Sequence, residues 1–495
     1  MIQIPFDNRY VQLGAPFYER ATPSTVRQPT LIRFNESLAR VLGIDFDASD
    51  TATLAAVFSG NAIPEGAQPL AMAYAGHQFG HFTPQLGDGR AILLGEICTA
   101  NKRCLEVQLK GAGRTAYSRN GDGRAALGPV LREYLVSEAM HKLNVPTTRA
   151  LAAVATGEPV IRERALPGGV ITRVASSFVR VGSFQYFAAR GEIESVKALA
   201  DHVIARTYPE IGQAENPYIA LLESVTARQA RLIAQWMQIG FIHGVMNTDN
   251  MSIAGETIDY GPCAFMDTYA HRQVYSSIDH QGRYAYNNQP GIGLWNLTRL
   301  AESLLLLLAD DTDAAVQVAE SILRTFPQQY ERAWLDGMRR KVGLTAVEGQ
   351  DQDDRELIEA LFETMADNNA DFTLVFYHLS RMSNEIGAQD DACRTLFDKP
   401  EAFDEWATRW RQRLSLEIQG DSERQEQMQR VNPVYIPRNH QVEAAIRAAE
   451  DEGDFSVFHA LHEVLQQPFT EQAGKESYMQ PPQPEEVVEV TFCGT

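Results

Sequence analysis

The chain has 495 residues, a length that predicts more than one packed unit. Its composition, 44% hydrophobic and 22% charged residues, is typical of a soluble globular protein. Its net charge of −20 and pI near 5.0 argue against a nucleic-acid partner, because such a surface is basic. The first residues lack a basic region followed by an apolar one, so we expect no signal peptide. The most apolar run, Leu304–Ala309, is too short to span a bilayer. We therefore expect a cytoplasmic protein without a membrane partner.

Predicted strands dominate the first part of the chain and predicted helices the rest. Residues 1–65 mix turn signals with short apolar stretches, and the residues beyond 470 are rich in Gln, Pro and Glu, which predicts an extended tail. The predicted elements between them are a hairpin with arms 90–97 and 105–110, a helix over 129–143, a second hairpin with arms 159–162 and 170–174 joined through 167–169, a helix over 219–241, a short hairpin with arms 251–253 and 256–258, and helices over 295–309, 313–326, 355–366 and 399–416.

Residues 243–250, His-Gly-Val-Met-Asn-Thr-Asp-Asn, have the frame of a kinase catalytic loop, but Val245 stands where the catalytic aspartate belongs. Asp259-Tyr260-Gly261 follows with the shape of the metal-binding Asp-Phe-Gly motif. Asn250 and Asp259 offer the oxygen ligands that Mg²⁺ prefers, and Asp249 offers a carboxylate that can accept a proton from a hydroxyl. The pattern predicts a nucleotide and metal site, and Val245 disfavours ordinary phosphoryl transfer.

Lys110 ends an apolar strand, as the phosphate-binding lysine of a kinase does. The helix that follows offers two acidic partners for this lysine, Glu133 and Glu138. We favour Glu133, because it lies earlier in the helix, beside the sheet that carries the lysine.

Glycines flank the predicted lysine strand, although no Gly-x-Gly-x-x-Gly motif precedes it. Residues 87–90, Gly-Asp-Gly-Arg, allow close backbone approach to an anion, and a plain hairpin turn is the alternative. Residues 121–124, also Gly-Asp-Gly-Arg, precede a helix whose N-terminus can face phosphate. Arg173 and Arg180 lie where a kinase holds adenine, and guanidinium groups suit phosphates better. This arrangement favours a nucleotide that binds in the reverse direction.

The order of these elements predicts an α+β, bilobal protein-kinase-like fold. We expect an N-terminal extension over 1–65, a strand-rich N-lobe over 66–185, a mainly helical C-lobe with the catalytic loop over 186–470, and a C-terminal tail over 471–495.

Five motifs together resemble the selenoprotein O (SelO) family of kinase-like protein adenylyltransferases, and the resemblance covers nearly the whole chain. They are Tyr-Ala-Gly-His-Gln-Phe-Gly at 74–80, Gln-Leu-Gly-Asp-Gly-Arg at 85–90, Gln-Leu-Lys-Gly at 108–111, the loop at 243–250, and a segment at 432–440 that begins Asn-Pro and ends Ile-Pro-Arg-Asn-His.

The resemblance implies transfer of AMP from ATP, bound in a flipped orientation, to Ser, Thr or Tyr hydroxyls of proteins, with release of pyrophosphate. It implies Mg²⁺ as the metal, leaves room for UMP transfer with Mn²⁺, and includes the protein itself among its candidate substrates. The implied site residues are Asp249 as proton acceptor, Asn250 and Asp259 as metal ligands, Glu133 as the partner of the lysine, and Gly87, Gly89, Arg90, Lys110, Asp122, Gly123, Arg173, Arg180 and Asp259 as ATP contacts.

Five cysteines show no spacing typical of a zinc site. The family carries a redox residue near its C-terminus, and Cys493 resembles that residue. We hypothesise a disulfide between Cys263 and Cys493 that ties the tail to the segment after Asp259. Two unrelated thiols are the alternative.

Two other functions stay open at this point. A phosphotransferase acting on a small molecule or a protein would fit the His-Gly start of the loop, but Val245 argues against it. A pseudokinase scaffold that only binds nucleotide has little need of both metal ligands, which argues against that reading.

Overall fold

The computed structural model describes residues 2–492, which form an α+β structure with a large antiparallel sheet followed by a helical half. The strands are β1 (Tyr18–Arg20), β2 (Thr30–Phe34), β3 (Leu70–Met72), β4 (Gly76–Gln78), β5 (His81–Thr83), β6 (Ala91–Cys98), β7 (Cys104–Lys110), β8 (Ala125–Ala126), β9 (Arg149–Ile161), β10 (Ala165–Ala175), β11 (Phe241–Ile242) and β12 (Ala264–Phe265). The helices are α1 (Glu36–Val41), α2 (Thr51–Ser59), α3 (Leu127–Lys142), α4 (Val181–Ala188), α5 (Ile193–Thr207), α6 (Pro217–Gln238), α7 (Gln289–Leu308), α8 (Thr312–Leu323), α9 (Phe326–Val342), α10 (Asp351–Asp367), α11 (Phe372–Leu379), α12 (Gln389–Arg394), α13 (Pro400–Leu414), α14 (Asp421–Gln429), α15 (Asn439–Arg447) and α16 (Ser456–Val464).

The large sheet has the strand order β1-β3-β6-β7-β10-β9-β2, with β8 paired to β10. Its two outer strands, β1 and β2, come from the N-terminal segment, so that segment is built into the sheet. The central strands β6, β7 and β10 are almost wholly buried, which fits their apolar sequences. Helix α3 packs against β9 and β10 and is itself buried over most of its length.

The first predicted hairpin and the helix after it are confirmed as β6, β7 and α3. The second predicted hairpin exists as β9 and β10, but the predicted connection through 167–169 is wrong, because the chain turns at 162–164. Gly168 and Gly169 lie within β10 instead. A Cβ on Gly168 would stand 2.5 Å from Thr156 Oγ1, and Gly169 pairs with Ala125 of β8. These glycines permit close packing of β10 against β9 and α3, and do not form a turn.

The predicted hairpin over 251–258 is wrong, since neither arm forms a strand. Ser252 forms a bridge to Arg180, and Thr257 forms a bridge to Thr147. Both arms therefore pair with distant residues of the first half of the chain instead of with each other. A local turn, in which the N–H of Gly255 donates to the carbonyl oxygen of Ser252, joins the two bridges. The long helices predicted further along the chain are present as α6, α7, α8, α10 and α13.

One stretch among residues 2–492, Tyr286–Leu308, is long and apolar enough to cross a membrane by length and composition. This stretch, which includes α7, packs against α4, α6 and α8, and Leu297, Leu300 and Leu304 are buried in the core. Packing within the helical half therefore accounts for the apolar residues of this stretch.

Candidate active site

A cavity of about 830 Å³ lies between the large sheet and the segment that carries the catalytic-loop motif. The structure brings every predicted nucleotide, metal and catalytic residue to its wall, whereas Cys263 is not part of the lining. These lining residues are Gly87, Gly89, Arg90, Lys110, Asp122, Gly123, Glu133, Arg173, Arg180, Asp249, Asn250 and Asp259.

The loop that follows β11 is fixed by a buried histidine. His243 Nε2 lies 2.9 Å from the carbonyl oxygen of Ile258, and the backbone N–H of Val245 donates to His243 Nδ1 at 3.4 Å. Burial lowers the pKa of His243, so the neutral ring accepts at Nδ1 and donates from Nε2. The ring thereby joins the start of the loop to the residue before Asp259.

Asp259 is surrounded by three cationic side chains. Its Oδ1 lies 3.0 Å from Lys110 Nζ and 2.6 Å from Arg173 Nη1, and its Oδ2 lies 2.9 Å from Arg180 Nη1. Burial alone would raise the pKa of Asp259, but Arg173, Lys110 and Arg180 hold it well below its usual range. The carboxylate is therefore charged, and its φ of +61° places it in the left-handed region, which non-glycine residues rarely adopt.

Glu133 completes the cluster from α3. Its Oε2 lies 2.7 Å from Lys110 Nζ and its Oε1 lies 3.1 Å from Arg173 Nη1. Burial opposes ionisation of Glu133, yet Lys110 and Arg173 lower its pKa. Lys110, Arg173 and Arg180 thus lie together on one wall of the cavity, where their charged donors suit the phosphates of a nucleotide.

Hydrogen bonds to neighbouring protein groups orient the side chains of Arg173 and Arg180. Arg173 Nε and Nη2 donate to Gln108 Oε1 at 3.0 and 2.7 Å, and Arg180 Nη1 donates to the carbonyl oxygen of Asp249 at 2.8 Å. The guanidinium of Arg180 also lies 4.6 Å from the centre of the Tyr74 ring. These contacts fix both guanidinium groups before any nucleotide binds.

Asp249 lies in a one-turn 3₁₀ helix, Thr248–Asn250, and is 7% exposed. Its Oδ2 accepts from Gln78 Nε2 at 3.3 Å, and its Oδ1 has no hydrogen-bond partner within residues 2–492. Burial raises the pKa of Asp249 to about 6. A carboxylate with this pKa can accept a proton near neutral pH.

Asn250 and Asp259 supply oxygen donors suited to a magnesium ion. Asn250 Nδ2 donates to the carbonyl oxygen of Val245 at 3.0 Å, which leaves the amide oxygen as the ligand atom. Asp259 is ionised and faces the same cavity. The donor chemistry of these two side chains therefore fits the metal that the sequence predicts.

The glycines at the cavity wall are required by close packing. A Cβ on Gly87, which has a φ of +71°, would stand 2.2 Å from the Tyr117 ring. A Cβ on Gly123, which has a φ of +68°, would stand 2.1 Å from the carbonyl oxygen of Gly113.

Asp122 accepts from Arg162 at 2.8 and 3.1 Å, so this predicted ATP contact is already engaged in an ion pair.

Cys263 is buried next to the cavity segment Gly261–Pro262, and Thr491 of the tail lies close by. The hydroxyl of Thr491 donates to the carbonyl oxygen of Pro262 at 2.6 Å. The backbone N–H of Thr491 donates to the carbonyl oxygen of Tyr275 at 2.7 Å. Cys493, the other member of the hypothesised pair, lies outside the described residues.

A second acidic cluster, Glu96, Glu106 and His202, lies away from the cavity. Arg206 pairs with Glu96 at 3.2 Å, and the N–H of Phe178 donates to Glu106 at 2.6 Å. Glu96 also accepts from the N–H of Arg9, and Glu106 accepts from the hydroxyl of Ser177. Both carboxylates therefore belong to a buried hydrogen-bond network.

The sequence prediction missed four residues that support the site: Tyr74, Gln78, Asp88 and Gln108. Asp88 accepts from Met72 N–H and from Gln108 Nε2, and lies 3.8 Å from Arg180. Tyr74 and Gln78 fall in the 74–80 motif, Asp88 in the 85–90 motif and Gln108 in the 108–111 motif, so membership in these motifs was the available signal.

Comparison with known proteins identifies the family of the chain. A family model described as "Protein adenylyltransferase SelO" matches residues 1–466. A "Protein nucleotidyltransferase YdiU" of Rhizobium meliloti (strain 1021) is 57% identical over 495 residues, and one of Rhodopseudomonas palustris (strain BisB5) is 58% identical over 497 residues. Both alignments cover 100% of each chain. The chain therefore belongs to the SelO family of protein adenylyltransferases.

Proposed function

We propose that this protein transfers AMP from ATP to hydroxyl groups of proteins, and that Asp249 accepts the proton of the attacking hydroxyl. The observation that carries the proposal is the cluster of Lys110, Arg173 and Arg180 around Asp259, with the Asp249 carboxylate on the wall of the same cavity. The cluster suits a polyphosphate, and Asp249 supplies the base that Val245 cannot.

We also propose that the chain has a bilobal kinase-like fold and binds ATP in the flipped orientation. The antiparallel sheet followed by helices supports the first part. The second part is supported by Arg173 on β10 and Arg180 after it, since two guanidinium groups at the inner end of the cavity favour phosphates there. This orientation would bring the α-phosphorus, rather than the γ-phosphorus, to an acceptor hydroxyl beside Asp249.

The reaction would use the residues of the cavity as follows. The hydroxyl oxygen of the acceptor forms a bond to the α-phosphorus, the bond from that phosphorus to the bridging oxygen breaks, and pyrophosphate leaves. Asp249 Oδ2 or Oδ1 takes the hydroxyl proton, while Lys110, Arg173 and Arg180 neutralise the phosphates. A magnesium or manganese ion held by Asn250 and Asp259 would supply further positive charge to the phosphate oxygens when bound.

The test uses ATP labelled separately at the α- and γ-phosphate, with Mg²⁺ and the protein as its own acceptor, comparing wild type with Asp259→Ala. Label that enters protein only from the α-position, and is lost in the variant, supports AMP transfer. Label from the γ-position alone would mean phosphotransfer. ATP binding without either label, tested also with an added mixture of acceptor proteins, would favour the scaffold function. A parallel reaction with α-labelled UTP and Mn²⁺ tests UMP transfer.

We propose in addition that Cys263 and Cys493 form a disulfide that regulates access to the cavity. The position of Thr491 beside Pro262 supports this, because it brings the tail to the segment that carries Cys263. Peptide mapping of oxidised protein without reductant should find the linked pair, and Cys493→Ser should abolish the effect of oxidant on activity. The buried Cys393 offers the control, since Cys393→Ser should leave the oxidant response unchanged.

A further inference from the structure

A short hairpin outside the large sheet contacts the catalytic loop. It consists of β4 and β5, joined by Phe79 and Gly80, which both have positive φ, +50° and +85°. Such a φ is rare for phenylalanine, and the surrounding contacts account for it. The N–H of Phe79 donates to Asn247 Oδ1 at 3.0 Å, and its ring lies 5.1 Å from that of Tyr284.

Further bonds tie the first strand of this hairpin to the turn that carries Asp249. The N–H of His77 donates to Thr248 Oγ1 at 2.7 Å. The side chain of the next residue, Gln78, lines the cavity and donates from Nε2 to Asp249 Oδ2 at 3.3 Å. The hairpin therefore contacts Asn247, which precedes the turn, Thr248 at the start of the turn, and the carboxylate itself.

Gly76 contacts the other oxygen of the same carboxylate. A Cβ at Gly76 would stand 2.4 Å from Asp249 Oδ1 and 2.8 Å from Leu86 Cδ1, so only glycine lets the carboxylate lie where it does. Gln78 thus holds Oδ2 by a hydrogen bond, and the Gly76 backbone limits the movement of Oδ1.

We propose that Gln78 is a positioning residue for the Asp249 carboxylate, and that Gly76 provides the space for it. This inference rests on the proposed role of Asp249 as proton acceptor. The geometry of a proton transfer is demanding, because a displacement of about 1 Å in a reacting group can reduce the rate by about 100-fold. Gln78 acts through Asp249 and need not contact ATP.

The test is a double-mutant cycle with Gln78→Met, which keeps the length of the side chain and removes the donor, and Asp249→Asn. We expect Gln78→Met to lower kcat at least 10-fold while the KM for ATP changes less than 2-fold. In the Asp249→Asn background it should cause no further loss, because the group that it positions is gone. Equal losses of kcat in both backgrounds, or wild-type kcat in the single variant, would overturn the proposal.

Gln185→Met is the matched control. Gln185 Nε2 lies 2.9 Å from His77 Nδ1, so it anchors the same hairpin without contacting Asp249. A purely structural role of the hairpin predicts the same kcat loss for both glutamine variants, and that result would also overturn the proposal. Thermal unfolding of each variant identifies losses of folded protein.

Gly76→Ala provides an independent measurement, since the added methyl group displaces Asp249 while Gln78 stays in place. It should also lower kcat more than the KM for ATP changes, and a wild-type kcat would contradict the role of Gly76. The outcome for the proposed function is read separately: wild-type protein that transfers no AMP, or an Asp249→Asn variant with full activity, refutes the function and not merely the role of Gln78.

Discussion

Lys110 Nζ lies 2.7 Å from Glu133 Oε2, whereas Glu138, on the same helix, is bound by Arg149. Five residues turn a helix by about 500°, so Glu133 and Glu138 point in different directions from α3. The first faces the cavity and the second faces β9, where it also accepts from the N–H of Ala150 at 2.9 Å. Two buried glutamates of one helix thus have separable roles.

We expect Glu133→Gln to lower AMP transfer by about 10- to 100-fold, because Lys110 and Arg173 lose the carboxylate that fixes their position relative to the phosphates. The measurement is the initial rate of α-label transfer at saturating ATP, together with the KM for ATP.

Glu138→Gln is the control for this prediction. Its Oε1 and Oε2 accept from Arg149 at 2.8 Å each, so the substitution should lower thermal stability and leave transfer per folded molecule near the wild-type rate. If the two variants lost activity equally, the pairing of Lys110 with Glu133 would have no specific part in the reaction.

Arg173 provides a second prediction, which concerns nucleotide binding. Arg173→Met removes a charged donor from the inner end of the cavity, and a hydrogen bond to a charged group is worth about 1.5–3 kcal/mol, or roughly a 10- to 150-fold loss of affinity. We expect the Kd for ATP, measured by calorimetry, to rise by that factor.

Arg149→Met is the matched substitution, because Arg149 also pairs with a buried glutamate but does not line the cavity. It should leave the Kd for ATP unchanged. An equal rise in both variants would mean that the effect of Arg173 comes from general destabilisation.

Local sequence patterns predicted much of this fold and site. Strand-like runs joined by a polar connection identified β6 and β7, and the helical spacing of apolar residues identified α3 and α6. Lys110, Asp249 and Asp259 were recognised because their neighbours follow a known spacing along the chain, which depends little on distant contacts. Glu133 was favoured over Glu138 by its position in the helix, and the structure places it against the lysine.

Contacts between distant segments could not be predicted in this way. Ser252 and Thr257 pair with Arg180 and Thr147, so the predicted local hairpin does not form. Gly168 and Gly169 resemble turn residues, but their lack of a Cβ permits close packing of β10 against β9 and α3. Gln78 contacts Asp249 across 171 positions of the chain, and only the fold shows the pairing.

Lys341, at the end of α9, gives a prediction about pH and stability. It is 3% exposed, its Nζ lies 4.3 Å from the centre of the Phe376 ring, and burial lowers its pKa to about 7. The unfolded chain has a lysine pKa near 10.4, so between pH 7 and 10 it binds more protons than the folded protein. The contribution of Lys341 to the free energy of unfolding should therefore become more favourable as pH rises, with a slope approaching about 1.4 kcal/mol per pH unit.

The difference between wild type and Lys341→Met isolates this contribution from that of the buried tyrosines and cysteines. Urea unfolding at pH 7.5, 8.5 and 9.5, values chosen to lie within that window, should show the variant more stable at the lowest pH and the difference shrinking as pH rises. A difference that does not depend on pH would show that Lys341 keeps its charge in the folded protein. In that case the neighbouring Phe376 ring would stabilise the ammonium group enough to offset its burial.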